Sequence, residues 1–288
     1  MDTIFDKVLC ATDLSWGCSD IFRDLNQVQE SGAVQQMRML YVVPENERKQ
    51  GAKEDAQGEF ARIKGDLETL GITTETVVRE GVVAHEIVKE ASEWGATIII
   101  MSRVDKGVIE DIVPYGTSMD VVREAAIPVL VEKHSEDARG HALKTPAWPL
   151  KKVLVPVDIN EAPLETAEFL KTLAGLVREV VLAHVVEAGT DNEVQRDFEL
   201  AAEAKLAEYA QDFERQGFST TVHVHRGEPA AGIVEIAAEE KAGMVVMPSR
   251  GLATGREEIG RVAEEILKHS KTPVIFLPRS YQSALRAA

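Results

Sequence analysis

The strongest constraint in this sequence is that most of it occurs twice. Val8-Leu9-Cys10-Ala11-Thr12-Asp13 returns as Val153-Leu154-Val155-Pro156-Val157-Asp158, and Tyr41-Val42-Val43 returns as His184-Val185-Val186. Arg79-Glu80-Gly81 returns as His225-Arg226-Gly227, Ser102-Arg103 as Ser249-Arg250, and Ile127-Pro128-Val129-Leu130 as Thr272-Pro273-Val274-Ile275. These landmarks keep one order at a nearly constant shift of about 145 residues, which is too long for a solenoid repeat and right for a duplicated domain. The boundaries this implies are 1–134 for the first domain and 151–288 for the second. Between them, 135–150 is polar and broken by Gly140, Pro146 and Pro149, so it reads as a linker.

Each copy alternates short Val- and Ile-rich runs with helical periods. Strands are expected over Lys7–Ala11, Met37–Val43, Thr73–Val78, Thr97–Met101 and Pro128–Val131. In the second copy they are expected over Lys152–Val157, Glu179–Val185, Ser219–His225, Gly243–Met247 and Pro273–Leu277. Continuous apolar runs of this length suit strands covered on both faces. Between them, Ala56, Phe60, Ile63, Leu67 and Leu70, and again Phe198, Ala202, Leu206, Tyr209 and Phe213, are spaced by three and four. Each set places one apolar stripe on a helix whose remaining surface is charged. Gly71 and Gly217 follow as helix stops, and Glu86–Trp94 and Gly232–Glu240 form a further helix pair. Strictly alternating strands and helices imply parallel sheets with right-handed crossovers. The expected fold class is therefore α/β, two copies of a Rossmann-like five-stranded parallel open sheet with helices on both faces. Ligands of such sheets bind beyond the carboxyl ends of the strands, where the strand order reverses.

Composition narrows the function. Asp plus Glu number 48 against 32 Lys plus Arg, a net charge of −16. A surface this acidic repels phosphate backbones and anionic lipid, so neither a nucleic acid nor a membrane is expected as partner. No run approaches the length of a membrane span, and no signal peptide is expected from a start without a basic leader or long apolar core. Cys10 and Cys18 are too few for a disulfide framework, and a reducing cytoplasm is the expected location. His223 and His225 share a strand face, but no third ligand is in view, so a half-solvated face is the expectation rather than a metal site. No nucleophile elbow, zinc-protease motif or Walker loop is present.

Taken together, Ala-Thr-Asp at 11–13 and Pro-Val-Asp at 156–158, the Val-Val pairs ending the second strands, Gly81 and Gly227, the two Ser-Arg pairs and the Pro-Val starts of the last strands resemble the universal stress protein domain. The chain is similar to a tandem, UspA-like member of that family. The resemblance implies strand order 3-2-1-4-5 and pairing of the two halves as an internal pseudo-dimer, with a homodimer also open. Many members bind ATP or AMP, with magnesium accompanying ATP; others bind neither.

The family's nucleotide signature after the fourth strand is Gly, two residues, Gly, nine residues, then Gly with Ser or Thr. Its glycines let the backbone approach phosphates while helix-start amides donate to them. Both copies depart from it. In the first, Met101 and Val104 stand at the first two glycine positions, while Gly116, Thr117 and Ser118 remain. In the second, Pro248 replaces the first glycine, Gly251 keeps the second, Gly260 follows one residue early, and Arg261 replaces the hydroxyl. Arg261 either grips a phosphate as a fork or pairs with a surface glutamate. Asp13 and Asp158 line the base or ribose pocket, as the resemblance implies, or cap the following helix, or do both.

The residues implied to line nucleotide sites are Asp13, Val43, Gly116, Thr117, Ser118, Asp158, Val186, Ser249, Gly251, Gly260 and Arg261. The resulting expectation is a non-catalytic stress-response regulator that takes ATP or AMP in one half. The alternatives are a ligand-free interaction or dimerisation module, for which the long acidic helix after the second strand of the second copy is a partner surface, and a slow ATP-hydrolysing enzyme.

Overall fold

The structure, a computed structural model, describes residues 4–13, 34–45, 52–69, 71–105, 116–135, 150–173, 175–187, 189, 192–250 and 259–287. The chain divides into two compact units, Met1–Ala147 and Trp148–Ala288. Most of the expected linker, including Pro146, lies outside the described residues, as do Cys18 and Leu70.

The first unit runs β1 (Lys7–Ala11), β2 (Gln36–Pro44), α1 (Ala52–Thr69), β3 (Thr73–Gly81), α2 (Val83–Trp94), β4 (Ile98–Asp105), α3 (Gly116–Glu124) and β5 (Val129–Ser135). Its strands lie in the order β3-β2-β1-β4-β5, and every pairing is parallel. Val8, Leu9 and Cys10 on β1 and Ile98, Ile99 and Ile100 on β4 are fully buried. Successive residues of a strand point to opposite faces, so a run buried without alternation means that both faces are covered. On α1, Ala56, Phe60, Ile63 and Leu67 form the expected inward stripe.

The second unit repeats the plan with β6 (Lys152–Pro156), α4 (Leu164–Lys171), β7 (Glu179–Val186), α5 (Asn192–Arg215), β8 (Ser219–Arg226), α6 (Pro229–Glu239), β9 (Met244–Pro248), α7 (Arg261–His269) and β10 (Val274–Leu277). The order β8-β7-β6-β9-β10, parallel throughout, is the 3-2-1-4-5 arrangement expected. Gly71 and Gly217 close α1 and α5 with φ of +76° and +95°, a conformation that costs any other L-residue steric strain. Among the described residues, no helix is long and apolar enough to cross a membrane.

Four features depart from the sequence reading. First, β4 continues to Asp105, four residues past Met101, because its register with β5 holds through Asp105 opposite Ser135. Met101 is buried in the strand, and Val104 also belongs to β4, so extended sheet occupies the first two glycine positions. Second, Phe198 is 56% exposed. The buried stripe of α5 is centred on Gln195, Ala202, Leu206 and Phe213. At about 100° per residue Phe198 falls roughly 60° off that centre, at the margin of the stripe. Third, Asp158 does not cap the next helix, which starts at Leu164 behind Pro163. Fourth, the chain adds α8 (Arg279–Ala287) after β10; it is anchored by an edge-on contact of Tyr281 with Phe169 of α4 at 6.1 Å between ring centroids.

Candidate functional site

The strands of the second unit end around a cleft of about 590 Å³, within the range of roughly 300–1,000 Å³ usual for small-molecule sites. It lies where β6 and β9 part, with β7 on one side of β6 and β10 on the other side of β9. At such a reversal successive crossovers leave on opposite faces of the sheet and open a crevice. The lining comes from the turn after β6, from His184 and Val185 of β7, from the segment after β9, from the first turn of α7, and from Gln282 of α8.

Asp158 leaves β6 exposed. Its Oδ1 accepts from the backbone and side-chain amides of Asn160, both at 2.9 Å, which makes an Asx turn. The turn fixes the carboxylate at the cleft, and Oδ2 keeps its own accepting capacity. His184 is held by Val157: its Nδ1 lies 2.8 Å from the Val157 carbonyl. A carbonyl only accepts, so Nδ1 carries the proton and the neutral ring offers Nε2 as an acceptor.

On the far side, the backbone of Ser249 is tied at both ends. Its amide donates to Leu277 O at 2.9 Å and its carbonyl accepts from Gly260 N at 3.0 Å. Ser249 is 1% exposed and lies in the cleft wall, and its hydroxyl has no hydrogen-bond partner among the described residues. Gly260 is the N-cap of α7 in extended conformation. The amides of Arg261, Val262 and Ala263 stand in the first turn, where the helix itself supplies no acceptor. Both these amides and the helix dipole favour an anion there.

The charge around the cleft is mixed. Asp158, Glu161, Glu165 and Glu187 line it alongside Arg250 and Arg261. Arg261 Nη2 lies 3.0 Å from Glu187 Oε1, with the two side chains 72% and 69% exposed. Arg261 thus makes a pair with a surface glutamate. The Glu187 backbone is fixed in turn by Gln195, whose Nε2 donates to Glu187 O at 2.6 Å.

The structure therefore gathers Asp158, Ser249, Gly260 and Arg261 at one cleft. Val186 is not among its lining residues: it is buried at the end of β7, and Ala183, His184 and Val185 line the cleft instead. Gly251 lies outside the described residues. In the first unit, Asp13 is exposed just after β1, Val43 is buried near the end of β2, and Gly116, Thr117 and Ser118 begin α3 with Ser118 buried. The segments adjoining them, 14–33 and 106–115, are outside the described residues.

His223 and His225 each face a glutamate, with His223 Nε2 2.9 Å from Glu240 Oε1 and His225 Nε2 3.5 Å from Glu235 Oε2. Among the described residues, no group of three or more His, Cys, Asp or Glu side chains is placed to hold a metal ion.

Among the lining residues that the sequence did not single out are Thr166, Ile233 and Gln282. Ile233 sits on the helix expected over Gly232–Glu240, and Thr166 on α4, for which no range was expected. Gln282 sits on a helix whose one signal was Tyr281 and Leu285 four apart after the last strand.

A duplicated 3-2-1-4-5 parallel sheet, with a cleft at the strand-order reversal of the second copy, defines a tandem Rossmann-like α/β protein. The universal stress protein family model matches residues 5–133 and 149–278, and the chain belongs to the universal stress protein family, carrying two such domains in tandem. One universal stress protein of Methanocaldococcus jannaschii is 30% identical over 142 residues, covering 45% of this chain and 82% of that protein. Another from the same organism is 34% identical over 89 residues, covering 31% of this chain. The match spans only about half of that second relative, 55% of its length. A universal stress protein from Archaeoglobus fulgidus has a crystal structure that aligns over 95% of this chain and 96% of its own, with a TM-score of 0.67 at 23% identity; that likeness shows the fold.

Proposed function

We propose that the protein is a cytoplasmic stress-response regulator that works by binding, and that the cleft of its second domain holds an adenine nucleotide, AMP or ATP, the latter with magnesium. The observation that carries this reading is the buried hydroxyl of Ser249. It has no partner among the described residues and stands beside the first-turn amides of α7. A buried hydroxyl without a hydrogen bond costs about 1–3 kcal/mol, a cost that a bound ligand would offset.

In this reading the α7 amides receive a phosphate, and Asp158 accepts from ribose hydroxyls or a base amine. The carboxylates around the cleft make each added phosphate less welcome, so ATP enters with its charge offset by magnesium. Occupancy then acts by favouring one conformation over another, and ATP turnover is at most slow.

Isothermal titration of the full chain with AMP, ATP plus magnesium, and GTP plus magnesium tests this. Micromolar heats for the adenine ligands, weaker binding of GTP and hydrolysis far below roughly 1 per second are expected. No heat at millimolar ligand removes the nucleotide reading, and turnover at ordinary enzyme rates removes the non-catalytic one. The exposed pair Val194 and Phe198, four apart on α5, favours a second reading in which the protein acts by docking a partner. That reading gains if no nucleotide binds.

A further inference from the structure

The family match ends at residue 278, and α8 begins at Arg279, yet α8 contributes to the cleft wall through Gln282. Gln282 is 3% exposed. Its backbone amide donates to Pro278 O at 3.1 Å, and its Nε2 donates to Leu277 O at 2.9 Å. Leu277 O also accepts from Ser249 N, so one carbonyl at the end of β10 fixes both Gln282 and the residue with the unpartnered hydroxyl. Thr166 of α4, 2% exposed, lines the same cleft. Three nearly buried, uncharged polar side chains thus line one cavity. An apolar side chain would fill the wall without the desolvation cost of an amide, and a single N–H directed at Leu277 O uses only part of what a glutamine offers.

We infer that α8 is a wall of the ligand site added beyond the shared domain, and that Gln282 is a specificity-determining residue that hydrogen-bonds an uncharged polar group of the ligand, a sugar hydroxyl or a base edge. The inference rests on the nucleotide reading of this cleft. Neutral donors and acceptors discriminate by matching hydrogen bonds and not by charge, and a site built this way rejects an analogue that leaves its buried groups unpaired. The phosphate is left to the amides of α7, and the wall formed by Thr166, Ser249 and Gln282 reads the nucleoside.

The test compares adenosine with 2′,3′-dideoxyadenosine and with purine riboside, which lacks the 6-amino group. Each is titrated calorimetrically into the full chain and into Gln282→Met. Wild type is expected to prefer adenosine by about 3- to 10-fold over at least one analogue, and Gln282→Met to bind that pair equally. This closing gap is a readout that mere loosening of the wall would not give, because loosening weakens all ligands alike. If wild type binds adenosine and both gaps survive the substitution, the inference fails while the nucleotide reading stands. If wild type binds no adenosine or adenine nucleotide, that reading fails and the inference falls with it. Should Gln282→Met not fold, Thr166→Val is titrated in its place, with a closed gap as support and unchanged gaps as refutation.

Discussion

Replacing Ser249 by alanine should move stability and affinity in opposite directions. In the free protein Ser249 is 1% exposed and its hydroxyl has no partner among the described residues, so folding strips it of water without giving it one of them in exchange. Deleting it removes a penalty of about 1–3 kcal/mol. The lost dispersion contacts of one oxygen and the small void left behind take back part of the gain. A net stabilisation of about 0.5–1.5 kcal/mol remains. For a domain of this size that raises the melting temperature by roughly 2–6 °C. With ligand present the hydroxyl donates or accepts a hydrogen bond, and its removal should weaken nucleotide binding by about 5- to 30-fold. Differential scanning calorimetry without ligand and isothermal titration with AMP read the two effects separately. A lowered melting temperature together with unchanged affinity would refute the reasoning, because the hydroxyl would then serve packing and not ligand.

Glu187→Gln should free the Arg261 guanidinium and remove one carboxylate from the cleft. AMP binding is then expected to tighten about 3-fold at low salt, the gain disappearing near 0.5 M salt as these exposed charges are screened; titration at two ionic strengths checks it, and a weaker complex would contradict it. The carboxyl of Glu240 is held below its ordinary value by a hydrogen bond from Lys152, assisted by the charges of Lys152 and His223. A depressed folded value means that its stabilisation is complete above about pH 4.5 and fades as the pH falls through the lowered value. Urea unfolding from about pH 3 to 7 should therefore show wild type and Glu240→Gln separated at neutral pH and converging in acid, and a separation that stays constant would contradict this.

Much of the fold was legible because its causes are local and were written twice. Val-rich runs, stripes such as Ala56-Phe60-Ile63-Leu67, and the glycines at 71 and 217 each fix an element through side-chain period or backbone freedom, and duplication let one copy check the other. What was not legible depends on partners distant in sequence. Glu90, 1% exposed on α2, accepts from Arg38 Nη1 at 2.7 Å and Arg79 Nε at 2.8 Å, and nothing in those segments marks the three as neighbours. The overrun of β4 depends on the length of β5, a property of its partner.

The candidate site divides along the same line. Asp158, Ser249, Gly260 and Arg261 could be picked out because they follow strands or begin a helix in both copies. Glu187, 74 residues from Arg261, and Gln282, on a helix the first domain's sequence does not foreshadow, have no counterpart among the repeated landmarks.

The lysine that opens the first strand of each domain shows how far the copies have diverged. In the first, Lys7 Nζ donates to Trp94 O at 2.6 Å and lies 4.6 Å from the centre of the indole ring. In the second, Lys152 Nζ meets Glu240 at 3.0 Å and Glu179 at 3.5 Å. A carbonyl and an indole are indifferent to protons, whereas carboxylates are not. Acid would loosen this one brace in the second domain and spare it in the first, so the same lysine, copied with its strand, now answers to pH in only one of the two halves.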